Sequence, residues 1–212
     1  MKQLLNILSK GVSILLYPLF IPTYGMVFFC AAFSVHFLPL PAVYWWVSVV
    51  GTLVLTCIIP LTAILLLIRR GSVSDLYIAR SAQRTTPYIY TVCWFVFWCY
   101  FMFSALKVPT YLLLTAVGAT IVLILVTIIN HWWKISAHLS SLGGLIGGVM
   151  SFCLCTGIMP SMWLVICMFV LALLLMYARL YLNAHTSLQV VCGFLLGLLF
   201  TFLPNLIYCY AQ

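Results

Sequence analysis

The chain is a succession of long apolar stretches separated by short polar junctions, and this pattern restricts the fold more than any other feature. Cut at charges, Pro and Gly, it gives about seven apolar segments. They cover residues 14–37, 44–68, 88–106, 111–129, 139–156, 162–177 and 188–208. Since a helix needs roughly 20 apolar residues to cross a bilayer, the pattern predicts an all-α polytopic transmembrane bundle of about six or seven helices.

Composition favours one membrane-embedded domain. Of the 212 residues, 67% are hydrophobic and 5% are charged, which is typical of an integral membrane protein. Spans and short turns use most of the length, so we expect a single domain over residues 1–212 and no separate soluble domain. The inner (cytoplasmic) membrane of a bacterium is the expected location.

The first apolar segment is interrupted by Pro18 and Pro22, which disfavour a continuous helix. Residues 1–16 are either the start of this span or a separate helix on the membrane surface. Lys2 and Lys10 precede apolar sequence, but no small-residue cleavage site follows them. We therefore expect no removed signal peptide.

Each span carries the chain to the opposite face, so the junctions at residues 69–87, 131–138 and 178–185 share one face. All Lys and Arg residues except Lys107, and all His residues except His36, fall on that face. A positive-inside bias explains part of this charge. The residues so explained are Lys2, Lys10, Arg69 and Arg70. The remaining Lys, Arg and His residues on this face are typical of one polar site built from three junctions.

The third junction is the most informative. Arg179 and His185 stand six residues apart between two apolar segments, and Gln189 follows four residues later. Ionisable side chains at such a position are costly and usually functional. In the second junction, Lys134 precedes Ser136 and His138, which we expect at a helix start where free N–H groups and the dipole favour an anion.

The first junction contains Arg80 and Arg84, which would point the same way on a short helix. The planar fork of Arg matches phosphate oxygens, so a phosphate between the two is one interpretation. The other is a solvated basic loop that touches lipid headgroups.

The spacing of glycines predicts which helices pack together next to the junctions. Gly143 and Gly147, together with Gly144 and Gly148, lie four apart after His138. Gly193 and Gly197 repeat this spacing after His185. Small residues at that spacing let helices approach closely, so we expect the two histidine-bearing helices to pack together.

The three junctions resemble the motifs of the type-2 phosphatidic acid phosphatase family, which includes the vanadium haloperoxidases. That family has a Lys then Arg-Pro, then Pro-Ser-Gly-His, then Ser-Arg, five residues, His, three residues, Asp. Arg179 and His185 match the third motif, Ser136 and His138 the second, and Arg84 loosely the first. The resemblance spans residues 80–193.

Five positions depart from the family pattern. Tyr77 stands where the Lys is expected, Ile135 and Ala137 replace Pro and Gly, and Ala178 replaces Ser. Gln189 replaces the Asp. The last change affects chemistry, because a carboxylate would orient the imidazole and stabilise its positive charge, whereas an amide oxygen can accept a hydrogen bond from the ring N–H but supplies no negative charge.

The resemblance implies a lipid phosphatase with a phosphohistidine intermediate. His185 would attack phosphorus, His138 would protonate the leaving alkoxide, and Gln189 would orient His185. The implied phosphate-binding residues are Arg80, Arg84, Lys134, Ser136 and Arg179. The chain has no Glu and only one Asp, so a carboxylate cage for Mg²⁺ is excluded, and we expect neither metal nor other cofactor.

The expected substrate is a lipid phosphate: phosphatidic acid, phosphatidylglycerophosphate, a polyprenyl pyrophosphate or a lipid A phosphate. Membrane lipids are the other expected partners, and the net charge of +8 suits anionic headgroups rather than nucleic acid. The alternatives are a catalytically impaired phospholipid-binding relative and a small membrane transporter. The nine Cys residues lack a Cys-x-x-Cys pattern and are expected to be packing residues.

Overall fold

The computed structural model describes residues 2–72 and 85–211. Within these ranges the chain forms helices joined by short connections and no strand. The helices are α1 Lys2–Leu15, α2 Ile21–His36, α3 Ala42–Arg69, α4 Thr85–Ser104, α5 Thr110–Ile129, α6 Ala137–Thr156, α7 Met162–Tyr181 and α8 Ser187–Tyr210. Six of them, α3 to α8, are long and apolar enough to cross a membrane. The predicted all-α transmembrane bundle is confirmed.

The N-terminal segment differs from a continuous first span. Helix α1 ends at Leu15 and α2 begins at Ile21, so a single helix over residues 14–37 is wrong and the alternative of a separate first helix is confirmed. Pro22 lies in the first turn of α2, where a missing N–H costs nothing. With 16 residues, α2 is about 24 Å long, shorter than the hydrocarbon core of about 30 Å.

Helix α1 turns two serines toward the protein. Ser9 and Ser13 are buried, and Tyr181 of α7 donates a hydrogen bond to the carbonyl of Lys2 at 3.2 Å. The exposed residues of α1 include the polar Lys2, Gln3, Asn6 and Lys10 and an apolar set: Leu4, Ile7, Leu8, Ile14 and Leu15. An apolar outer side is favourable where the surrounding solvent is lipid. Helix α1 therefore covers the end of the bundle with hydroxyls inward.

Helices α6 and α8 make the most extensive contact between two helices of the described chain. A Cβ atom added at Gly197 would overlap the carbonyl oxygen of Ser140, and one added at Gly143 would overlap that of Phe194. The two backbones therefore touch directly, as the glycine spacing predicts. Gly148 faces another neighbour, because a Cβ there would lie 2.6 Å from Cγ2 of Thr115 on α5.

A disulfide joins the far ends of the same two helices. Cys155 of α6 and Cys209 of α8 are bonded, with their Cα atoms 5.8 Å apart. The expectation that all nine cysteines only pack is wrong for this pair. A separation of 54 residues hides the pairing in the sequence, and only the contact between α6 and α8 brings the two thiols together. The other cysteines are free.

The contact between α6 and α8 is tested by replacing Gly197 with Ala. Overpacking typically costs about 1–3 kcal/mol, so we expect Gly197→Ala to lower the melting temperature in detergent. Gly11→Ala is the matched control, because a Cβ at Gly11 meets nothing within 4 Å. Equal melting temperatures for the two variants would contradict a backbone contact at Gly197.

Candidate functional site

Ser136 ends the second junction and caps α6. Its backbone is extended, and its Oγ accepts a hydrogen bond from the backbone N–H of Leu139 at 3.5 Å. Its carbonyl accepts from the hydroxyl of Ser140 at 2.9 Å. The predicted helix start is therefore confirmed, and the Ser136 hydroxyl serves as the helix cap.

His138 lies in the first turn of α6 and faces α1. Its side chain is buried, its Nε2 lies 3.2 Å from the carbonyl oxygen of Ser13, and the ring of Tyr17 meets it edge-on at 5.6 Å between centroids. A carbonyl oxygen only accepts hydrogen bonds, so Nε2 carries the proton in this arrangement. The N-terminal helix therefore holds this imidazole, a contact that the junction pattern does not predict.

Arg179 is part of a helix rather than of a loop. The sixth predicted span ends at residue 177, but α7 continues to Tyr181 and places Arg179 in its last turn, where the side chain is only 5% exposed. Asn183 then adopts a left-handed backbone with φ of 49°, which Asn tolerates better than most residues. The N–H of Ala184 bonds to the carbonyl of Arg179 at 3.1 Å and closes the turn.

His185 joins the second and third junctions. Its Nδ1 lies 3.1 Å from the carbonyl oxygen of Lys134 and 3.3 Å from Oε1 of Gln189. Because both neighbours are acceptors, we place the proton on Nδ1, which puts the ring lone pair on Nε2. The backbone N–H of Ser136 also bonds to the carbonyl of Gln189 at 3.3 Å. The predicted meeting of these junctions is confirmed.

Gln189 also caps α8, a role that its distance from His185 does not predict. Thr186 and Gln189 form a capping box at the start of α8. Oε1 of Gln189 accepts from the N–H of Thr186 at 3.1 Å, and Oγ1 of Thr186 accepts from the N–H of Gln189 at 3.4 Å. The sequence does carry this signal, since Thr-x-x-Gln before an apolar run is typical of a capping box. One amide oxygen thus serves both a helix end and His185.

The predicted phosphate-binding residues are only partly within the described structure. Lys134 contributes its backbone carbonyl to His185, and its side chain is half-buried. Ser136 and Arg179 lie at the ends of α6 and α7 as described above. Arg80 and Arg84 lie outside the described residues. The phosphate-binding roles of these five residues stay predictions.

An apolar cluster supports this end of the bundle. Leu139 of α6, Leu175 of α7 and Val190 of α8 are fully buried, and Leu16 and Ile21 pack against them. Each buried leucine or valine contributes about 1.5–3 kcal/mol when removed from water, but in lipid the gain comes from close packing. The cluster therefore positions the first turns of α6 and α8.

Among the described residues, no group of three or more His, Cys, Asp or Glu side chains is arranged to hold a metal ion.

Comparison with protein-family models, curated proteins and solved structures finds no match for this chain. The fold is that of an integral membrane helix bundle with a polar, histidine-bearing end.

The capping box gives a stability prediction. Loss of a Thr cap costs about 1 kcal/mol, so Thr186→Ala should lower the free energy of unfolding in a reversible detergent titration. Ser187→Ala is the control, because Ser187 is the next residue, is exposed and is not the cap. An equal loss in both variants would contradict the cap assignment.

Proposed function

We propose that this protein is an integral membrane lipid phosphatase that hydrolyses a phosphate monoester or pyrophosphate of a lipid through a phosphohistidine at His185. The observation that carries the proposal is the pair of acceptors on Nδ1, the Lys134 carbonyl and the Gln189 amide oxygen. This arrangement holds the proton on Nδ1, so the lone pair of the neutral ring lies on Nε2, the atom that would attack phosphorus.

The remaining groups fit the same reaction. As an imidazolium, His138 would give its Nδ1 proton to the leaving alkoxide and keep the Nε2–H that donates to the Ser13 carbonyl, and water would then release phosphate from His185. Arg179 is buried at the end of α7 within the same end of the bundle, and a guanidinium there would stabilise charge on the equatorial phosphate oxygens. Arg80, Arg84, Lys134 and the Ser136 turn would add positive charge and hydrogen bonds.

The proposed reaction does not depend on a metal cage. The whole chain contains no Glu and a single Asp, so two-metal phosphatase chemistry lacks its ligands. Among the predicted site residues we favour imidazole as the nucleophile, because it is competent near neutral pH and the Ser136 hydroxyl serves as the cap of α6.

Gln189 limits the proposed rate. In the related motif a carboxylate stabilises the imidazolium that forms during attack, and an Asp-to-Asn change at an equivalent role in a serine protease costs about 10⁴-fold. The Gln189 oxygen still accepts a hydrogen bond from Nδ1–H of His185 and so maintains that tautomer, but it supplies no negative charge. A catalytically impaired phospholipid-binding relative is therefore the second candidate function, and the amide at position 189 is the observation that favours it.

No observation favours a transporter to the same degree. Five buried hydroxyls within the spans donate to carbonyls of their own helices instead of lining a polar path. These are Thr56, Thr91, Thr120, Ser151 and Thr201. A transport pathway would call for polar groups that face a shared cavity at mid-membrane depth.

Phosphate release from a panel of lipid phosphates, in detergent with chelator present, tests the proposal. We expect His185→Ala to lower the rate by about 10³-fold or more and His138→Ala by about 10²–10⁴-fold. His131→Ala is the control, because His131 is exposed in the same junction and lies outside the proposed machinery. Undiminished release by His185→Ala would eliminate the proposed nucleophile.

The variant Gln189→Glu distinguishes a slow phosphatase from a catalytically impaired phospholipid-binding relative. Glu preserves the reach of the side chain and still completes a capping box, so folding should be retained while the imidazolium gains a charged partner. We expect kcat to rise, by up to about 10⁴-fold. Release by Gln189→Glu but not by the wild type would identify an impaired relative. An unchanged kcat in a folded variant would show that the amide does not limit the reaction.

A further inference from the structure

An apolar cavity of about 110 Å³, partly open to the outside of the bundle, lies between α2, α4, α5 and α6. Large hydrophobic side chains form most of its walls, and among them are Met26, Phe29, Phe95, Trp98, Met102 and Leu112. Small residues keep the space open, namely Gly25, Ala116, Ala119 and Gly144. The cavity is therefore a consequence of where this sequence places its glycines and alanines among aromatic residues.

The cavity is long and begins at the candidate site. On α6 its lining runs from Ala137 to Gly148, a rise of about 16 Å, and on α5 from Val126 to Leu112, a rise of about 21 Å. Ala137 stands between Ser136 and His138 in the first turn of α6. One end of the cavity thus adjoins the turn that carries the proposed acid, and the other reaches toward the opposite membrane face.

The hydroxyls in the walls do not offer polar contacts to a guest. Ser140 donates to the carbonyl of Ser136 at 2.9 Å, and Ser141 to that of His138 at 2.9 Å. Thr91 and Thr115 likewise donate to carbonyls one turn earlier in their own helices. With its donors engaged in this way, the cavity suits a hydrocarbon guest rather than a polar one.

We propose that this cavity holds one hydrocarbon chain of the lipid whose phosphate reacts at His185. The inference rests on the proposed function and names the part of the substrate that the phosphate site does not bind. The elongated lining fits a single extended chain, and because it reaches Ala137, the headgroup end of that chain would lie at the first turn of α6. Filling an apolar void with a chain recovers dispersion contacts that an empty void lacks.

Ala119→Phe tests the proposal by filling the cavity from α5. Val117→Phe is the matched control, since Val117 lies on the same helix, is 37% exposed and does not line the cavity. We expect Ala119→Phe to lower kcat/KM for dipalmitoyl phosphatidic acid by at least about tenfold and to leave dihexanoyl phosphatidic acid unchanged. Val117→Phe should change neither. Equal loss on both lipids, or no loss on either, would overturn the inference.

A binding measurement on the wild type keeps the inference testable if Ala119→Phe fails to fold. Phosphatidic acid with a diazirine at the end of one acyl chain should label residues at the far end of the cavity, such as Met102 and Leu112. Labelling confined to lipid-facing residues, such as Phe103 and Val117, would overturn the inference. Equal labelling of the cavity by diacylglycerol with the same chain would also overturn it, because the site would then take bulk lipid.

The two proposals fail in different ways. If the wild type releases no phosphate from any lipid but phosphatidic acid labels the cavity in preference to diacylglycerol, the proposed phosphatase fails and the chain-binding cavity stands. If the wild type releases phosphate and Ala119→Phe leaves the preference between dipalmitoyl and dihexanoyl lipids unchanged, the cavity inference fails and the phosphatase stands.

Discussion

The direct backbone contact between α6 and α8 is the interaction on which the rest of the structure depends. Gly143 and Gly197 bring the two helices so close that no Cβ fits between them. Both helices begin at the same end of the bundle, and their first turns carry His138 and Gln189, with His185 just before α8. The hydrogen bond from the N–H of Ser136 to the carbonyl of Gln189 spans this contact. The candidate site is therefore an extension of one helix-helix interface, and its geometry follows from glycine packing.

Much of the fold and part of the site can be predicted from the sequence. Run lengths predict the spans because lipid leaves the backbone few alternatives to a helix, and glycine spacing predicts the contact between α6 and α8. The contact between the Ser13 carbonyl and His138 cannot be predicted, because a backbone carbonyl carries no residue-specific signal. The sequence predicts Arg179 in a junction because cations usually end a span, yet this residue lies within the last turn of α7.

Gln189 shows how a site residue can be recognised for one role and missed in another. Its distance of four residues from His185 predicts the contact between their side chains, which the structure contains at 3.3 Å. Its distance of three residues from Thr186 predicts the capping box. A capping box accepts Gln or Glu, and the positive end of the helix dipole favours Glu. Capping therefore does not explain the absence of a carboxylate here, and the amide at position 189 bears on the charge beside the imidazole.

The disulfide between Cys155 and Cys209 has a consequence for how the protein sits in its membrane. It links α6 and α8 at the end remote from His138 and His185, so one end of this helix pair carries a disulfide and the other end carries imidazoles. Disulfides persist in oxidising compartments and are rare where glutathione keeps thiols reduced. The bond therefore persists only where its end of the bundle borders an oxidising compartment, and the imidazole end lies at the opposite face.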